Sequence, residues 1–118
     1  MENNVVSLET AKKLRSSGWL NRTEFAWGSD GRLWLHDLAL GSSNLTDIWP
    51  APTAQETADQ LPNQAPDEPH LWLTIKATQY AGKRLWVADF ESDDEFSYAS
   101  RNESLSEALA ALWLSLKI

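Results

Sequence analysis

The chain contains no cysteine among its 118 residues. This absence excludes disulfide bridges, thiolate metal sites and a cysteine nucleophile. No apolar run approaches the roughly 20 residues that a membrane-spanning helix needs. The amide-rich start, "MENNVVSLETAKKL", lacks the apolar stretch of a secretory signal. We therefore expect a cytoplasmic protein that does not enter a membrane.

Basic residues are also few: 10 Lys and Arg stand against 17 Asp and Glu, for a net charge of -7. Because a phosphate-tracking surface needs clustered Lys and Arg, we expect no nucleic-acid binding by direct phosphate contact. Acid is dense in only one stretch, "DFESDDEF". A solvated turn explains that run most simply. Its carboxylates define a candidate acidic patch: Asp89, Glu91, Asp93, Asp94 and Glu95.

Tryptophan is the residue present in excess, with seven in the chain. Each indole has a large surface to bury and an N–H that usually needs a partner. The hydrophobic fraction of 42% and the charged fraction of 23% are those of a globular protein. A chain of this length typically forms one domain, which we place over residues 1–118.

Three segments have helical patterns with marked starts. "SLETAKKLRSSG" begins at a candidate N-cap, Ser7, and "TAQETADQL" begins with Thr53 and Glu56 at capping-box spacing. The closing segment, "SLSEALAALWLSLK", repeats that spacing at Ser104 and Glu107. The apolar stripe of the closing helix would comprise Leu105, Leu109, Leu112, Trp113 and Leu116.

"TEFAWGSDGRLWLHDL" predicts a β-hairpin with two candidate registers. A three-residue loop, "SDG", would pair Trp27 with Leu33. A tighter turn at Asp30-Gly31 would instead pair Trp27 with Trp34. We favour the first register because it separates apolar from polar side chains better. It leaves Trp34 and His36 on the face opposite Trp27.

"HLWLTIKAT" and "RLWVADF" predict a second hairpin that turns at Ala81-Gly82, and "EFSYAS" is a candidate fifth, edge strand. Alternation assigns its residues to two faces. One face would carry Leu71, Leu73, Ile75, Ala77, Trp86, Ala88 and Phe90. The other would carry His70, Trp72, Thr74, Lys76, Leu85, Val87 and Asp89.

These elements predict a two-layer α+β fold. Its antiparallel sheet would have four to five strands and three helices mainly on one face, in the order α-β-β-α-β-β-(β)-α. Trp113 would join the core from the last helix. The sheet residues expected beneath the helices are Phe25, Trp27, Leu33, Leu35, Leu71, Leu73, Ile75, Trp86 and Phe90.

The opposite sheet face is the candidate interaction surface, since exposed apolar patches mark contact sites and tryptophan is enriched in them. Covering of this face by the loop "NLTDIWPAP", or a different register, is the alternative. The face would comprise Trp34, His36, Trp72, Lys76, Leu85, Val87 and Asp89. We expect it to bind another protein or a second copy of the chain.

Catalysis and metal binding find little support in the sequence. His36 and His70 are the two histidines, and neither has a second ligand at metal-binding spacing or a matched nucleophile. We expect no enzyme activity, no metal and no cofactor. An acidic inhibitor that uses the patch around Asp93 is the second functional hypothesis, and a small hydrolase built on a histidine is the third.

"VVSLETAKKLRSSGW", "APTAQETADQL" and "ESLSEALAALWLSLK" together resemble a group of small proteins encoded by phages and prophages. In that group an "SLE-A-x-x-L" helix opens the chain, "APT" starts a second helix and an "EAL" helix closes it. The strands of this chain match the group less clearly. The resemblance implies an accessory protein of a mobile element in the bacterial cytoplasm, and it carries over no functional residues.

Overall fold

The structure is a computed structural model that describes residues 4–116. These residues form four helices and six strands. In order they are α1 (Leu8–Ser16), β1 (Phe25–Gly28), β2 (Leu33–Leu35), α2 (His36–Leu40), β3 (Ile48–Ala51), α3 (Ala54–Ala58), β4 (Trp72–Tyr80), β5 (Lys83–Ser92), β6 (Glu95–Asn102) and α4 (Leu105–Ser115).

The three predicted helices begin at their predicted caps. The Ser7 hydroxyl accepts the Thr10 N–H at the start of α1. Thr53 and Glu56 form a complete capping box at the start of α3. Such caps satisfy backbone donors that the first helical turn leaves unpaired, so a short polar sequence is sufficient to place the start of each helix.

The capping box predicted at the start of α4 is formed only by half. Ser104 accepts the Glu107 N–H at 3.3 Å, as expected. The Glu107 carboxylate instead accepts from the Ser7 N–H at 3.0 Å and from the Thr10 hydroxyl at 2.6 Å. This side chain therefore joins the start of α4 to the start of α1, which the local pattern did not indicate.

The single sheet of four to five strands was wrong, because the strands form two antiparallel sheets with the orders β2-β1-β3 and β4-β5-β6. The stretch "DIWPAP", which we expected to be a loop, contributes β3. Pro50 lies in this strand opposite Ala26. Proline is tolerated there because β3 is an edge strand, whose outward-facing backbone needs no donor.

Both favoured hairpin registers are confirmed. Trp27 pairs with Leu33 in the first hairpin. In the second, Tyr80 pairs with Lys83 around the Ala81-Gly82 turn. The candidate fifth strand is also confirmed as β6, which pairs with β5.

Helix α2 was not predicted. We expected the strand of the first hairpin to continue through His36, but the chain turns into a five-residue helix there. The segment "HDLAL" is too short for a helical period to be distinguished from strand alternation. The predicted order of elements therefore lacked both α2 and β3.

The core lies between the two sheets and the helices. Helix α1 packs on β3, α4 packs on β5 and β6, and α4 also contacts α1 and α3. The buried residues of the core include Leu14, Phe25, Leu71, Phe90, Leu109 and Leu112. No helix within residues 4–116 has the length and hydropathy that crossing a membrane requires.

Three of the seven tryptophans are buried in the core. Trp19, Trp27 and Trp113 are buried, and the rings of Trp19 and Trp113 meet edge to face at 5.1 Å. The Trp27 N–H donates to the carbonyl of Val6 at 2.8 Å. The expected core roles of Trp27 and Trp113 are therefore confirmed.

Three residues that we assigned to the core lie outside it. Leu35 is 48% exposed and Ile75 is 40% exposed. Trp86 is only half-buried, and the Arg84 guanidinium lies over its ring at 4.6 Å. Ile75 and Trp86 lie on the predicted face, but α4 packs on β5 and β6 and makes few contacts with β4. Leu35 ends β2, an edge strand of the other sheet, just before α2 begins. Alternation reveals the face of a strand and not how far its covering helix reaches.

Candidate binding face on the second sheet

The structure divides the seven predicted face residues between two places. Trp34 lies in the first sheet, and His36 begins α2 beside it. The other five share one face of the β4-β5-β6 sheet: Trp72, Lys76, Leu85, Val87 and Asp89. We call this the outer face, since α4 packs against the opposite one, where Ser100 donates to the Ala108 carbonyl at 2.5 Å.

Trp34 has a local role in the first hairpin. It is half-buried, and its indole N–H donates to the Asp30 carboxylate at 3.1 Å. The ring lies so close to Gly28 that a Cβ there would stand 3.0 Å from the indole nitrogen. Trp34 therefore packs against its own turn, and only glycine at position 28 permits that approach.

His36 lies beside a separate group of exposed leucines. Its backbone N–H donates to the Glu24 carbonyl at 2.9 Å, and its ring lines a hollow of about 410 Å³ with Leu20 and Leu40. An Arg22–Asp37 ion pair lies near this hollow. The structure thus places His36 away from the outer face.

Two rows of side chains cross the outer face perpendicular to its strands. The basic row consists of Lys76, Val87 and Arg101. The aromatic row consists of Trp72, Glu91 and Phe96. Asp89 lies between the two rows on the central strand, and an ion pair of 2.8 Å from Lys76 to Glu91 connects them.

Three aromatic side chains are exposed on this side of the sheet. Trp72 is 55% exposed, Phe96 65% and Tyr80 72%. The sequence identified Trp72, but it did not identify Phe96, whose face depends on how β6 pairs with β5. Tyr80 was missed because we expected β4 to end before it. Aromatic groups exposed on a face that no helix covers are typical of a contact surface.

A groove of about 290 Å³ runs along the outer face. Apolar side chains from all three strands line it, together with charged ones from both sides of Asp89. The lining includes Tyr80, Leu85, Val87, Asp89, Phe96 and Arg101. The mixture of aromatic area and a few fixed charges suits recognition of a partner surface.

Asp89 is the buried polar group of this groove. The residue is 4% exposed, and its Oδ1 atom has no hydrogen-bond partner within the described chain. Burial, with the hydrogen bond and charge of Glu91, raises the pKa of Asp89 to about 6. The hydrogen bond from Lys76 lowers the pKa of Glu91. At a pH below about 6, the pair of carboxyl groups therefore holds a proton, and that proton resides on Asp89.

A β-bulge lies next to Asp89. The pairing of β5 with β6 shifts between Ala88 and Phe90. On β6, Tyr98 adopts a positive φ of 56°, which is uncommon for a residue other than glycine. Its ring packs edge to face on Phe90 at 6.1 Å. Because bulges redirect side chains, this one adjusts which β6 residues share the face of Asp89.

The five residues of the predicted acidic patch do not form one charged surface. Asp89 is buried, Glu91 pairs with Lys76, and Glu95 hydrogen-bonds to His70 at 3.0 Å. Asp93 and Asp94 occupy the exposed turn between β5 and β6. Local pairing therefore neutralises much of the charge that the sequence places here.

His70 has one neighbour, Glu95, that the sequence did not reveal. Its Nε2 lies 3.0 Å from Glu95, and ligand atoms of Glu68, His70 and Glu95 all fall within 4.8 Å of one another. Within residues 4–116, this group could hold a metal ion. The hydrogen bond to Glu95 raises the pKa of His70. Glu95 is 25 positions from His70, so sequence spacing offered no signal.

Comparisons with protein-family models, with curated proteins and with solved structures gave no match.

Proposed function

We propose that this protein is a noncatalytic binding module that contacts another protein through the outer face of its second sheet. The observation that carries the proposal is the cluster of exposed Trp72, Phe96 and Tyr80 on a face that α4 leaves uncovered. Burial of aromatic area supplies affinity, and the exposed charge of Lys76 orients the partner.

The resemblance of the helical segments to small phage and prophage proteins supports an accessory role in the bacterial cytoplasm. The acidic-inhibitor hypothesis receives less support from the geometry, since Asp93 and Asp94 are what remains of its patch once the paired and buried carboxylates are set aside.

Chemical crosslinking in cells that produce the protein tests the proposal. We expect crosslinked products with the wild type, and we expect the double variant Trp72→Ser/Phe96→Ser to lose them. The matched control is Leu20→Ser/Leu38→Ser, which changes two leucines that are 93% and 61% exposed elsewhere.

Thermal unfolding of each variant shows whether loss of crosslinks reflects loss of the fold. If the Trp72→Ser/Phe96→Ser protein is folded and forms the same crosslinks as the wild type, the outer face is not the binding surface.

A further inference from the structure

We infer that the outer face binds a second copy of this chain, in an antiparallel stack that sets the basic row of each copy on the aromatic row of the other. The inference rests on the proposed function, and it names the partner. The arrangement of charge on the face is the observation that carries it.

The two rows complement each other. In the basic row, Lys76 and Arg101 flank Val87, and in the aromatic row Trp72 and Phe96 flank Glu91. A cation placed over an aromatic ring is attracted to its face, and it is attracted again by a neighbouring carboxylate. Stacking the rows therefore brings two cations of each copy against two rings and one carboxylate of the other.

The fold places the rows symmetrically. Val87, Asp89 and Glu91 are alternate residues of β5, so Asp89 lies midway between the rows on the central strand. A two-fold axis at Asp89, directed across the strands, exchanges the rows and makes every contact occur twice. Such an isologous arrangement is the commonest symmetry of homodimers.

Charge also selects between the two ways of stacking the face on itself. An axis along the strands would set the basic row on the basic row, and the like charges of Lys76 and Arg101 would repel. An axis across the strands sets Arg101 beside the partner copy's Glu91. The Arg101 side chain makes no hydrogen bond or ion pair within residues 4–116, and its charge acts on Asp89 only at longer range, so its guanidinium can form this contact.

The same arrangement buries the exposed apolar side chains of the outer face. Trp72 and Phe96 are more than half exposed in the single chain. In the stack their rings are covered by the aliphatic stems of Lys76 and Arg101, whereas Val87, at 6% exposure, adds little contact area. Asp89 is already buried beneath its neighbours, so its carboxyl does not protrude into the contact.

The size of the face sets the strength that we expect. Strand β4 has nine residues, and three strands lie side by side, so the face measures roughly 30 Å by 14 Å. Two copies stacked on it cover about 840 Å² in total, which is the size of a weak, transient interface. We expect a concentration-dependent dimer with a dissociation constant in the micromolar range.

Sedimentation equilibrium of the full chain with exchanged charges tests the arrangement. We expect Arg101→Glu alone and Glu91→Lys alone each to weaken dimerisation by at least about tenfold, because each sets like charges together. An equimolar mixture of the two variants should regain the dimer, since Glu at position 101 then faces Lys at position 91. Arg32→Glu, the same change at an exposed turn of the first sheet, is the control.

Three results would overturn the inference: a wild type that stays monomeric up to about 1 mM, a dimer that neither variant weakens, or a mixture that stays monomeric. If a charge variant fails to fold, Trp72→Ser serves as the alternative test. It removes aromatic area without changing charge, and it should also weaken dimerisation. A monomeric wild type that still forms crosslinks dependent on Trp72 and Phe96 would leave the proposed function standing with a different partner.

Discussion

At the scale of single residues, the behaviour of Asp89 follows from where its carboxyl is placed. Burial and the neighbouring Glu91 raise its pKa from 3.8 to about 6. A carboxyl whose pKa is higher in the folded than in the unfolded protein takes up a proton on folding. Its contribution to stability is therefore present below about pH 4 and is lost as the pH rises through about 6.

We predict that Asp89→Asn removes this part of the pH dependence, because the amide stays neutral at every pH. At pH 7 the variant should be more stable than the wild type by roughly 1–3 kcal/mol, and at pH 4 the difference should be small. Urea unfolding at a series of pH values measures it. Parallel stability profiles for the two proteins would show that Asp89 does not titrate as described.

At the scale of elements, a few polar contacts join helices that the sequence treats as separate. Glu107 of α4 accepts from the backbone and side chain at the start of α1. Glu103, just before α4, makes only an exposed pair with Lys83 at 3.2 Å. Glu107 has capping-box spacing from Ser104 and Glu103 does not, but the sequence did not show that Glu107 links α4 to α1.

We predict that Glu107→Ala destabilises the protein by about 1–3 kcal/mol, because it leaves the Ser7 N–H and the Thr10 hydroxyl without their acceptor. Glu103→Ala should cost less than about 1 kcal/mol, as expected for an exposed ion pair. Chemical denaturation compares the two variants. Equal effects would mean that Glu107 does not hold α1 against α4.

A substitution in the turn of the second hairpin should stabilise the protein. Ala81 adopts a φ of 54° and Gly82 a φ of 80°, so both turn positions are left-handed. Alanine tolerates that region less well than asparagine. We predict that Ala81→Asn stabilises the fold by about 0.5–1 kcal/mol, since Asn-Gly is the preferred pair for this turn.

Thermal unfolding checks the prediction, and Gly82→Ala is its counterpart. It should destabilise the protein, because it places a Cβ at a φ of 80°. If both variants matched the wild type, the turn would not have the described conformation.

At the scale of the whole molecule, the tryptophans divide between packing and exposure. Trp27 is 7% exposed and contacts the core cluster, whereas Trp72 is 55% exposed on the outer face. Alternation assigned these two residues to opposite faces of their hairpins, and their burial agrees with that assignment.

We predict that Trp72→Ser changes the stability of the monomer by less than about 0.5 kcal/mol, as surface substitutions usually do. Trp27→Ala should cost about 3–5 kcal/mol, because it leaves a cavity in the core. Unfolding by denaturant at low protein concentration separates these effects from any association. A comparable loss in both variants would place the Trp72 ring in the core.

Much of the fold could be predicted from local patterns. Helix starts depend on a cap and a capping box within four residues, and hairpin registers depend on the turn and on alternation. The candidate face was predictable only in part: alternation indicated the side chains of β4 and β5 that share it, but Phe96 and Arg101 depend on the pairing and bulge of β6. Glu68 is near His70 in the sequence, but Glu95 joins that group from a distant segment and had no local signal.

The sequence by itself determined the α+β class, the caps of three helices, the registers of two hairpins and the alternating faces of their strands, because each is set by neighbours within a few positions. Only the tertiary structure decided that there are two sheets, which indoles a helix covers, that Asp89 is buried and that Glu107 reaches α1. Those features depend on contacts between distant segments, whose free energies come from burial and pairing that no local pattern encodes.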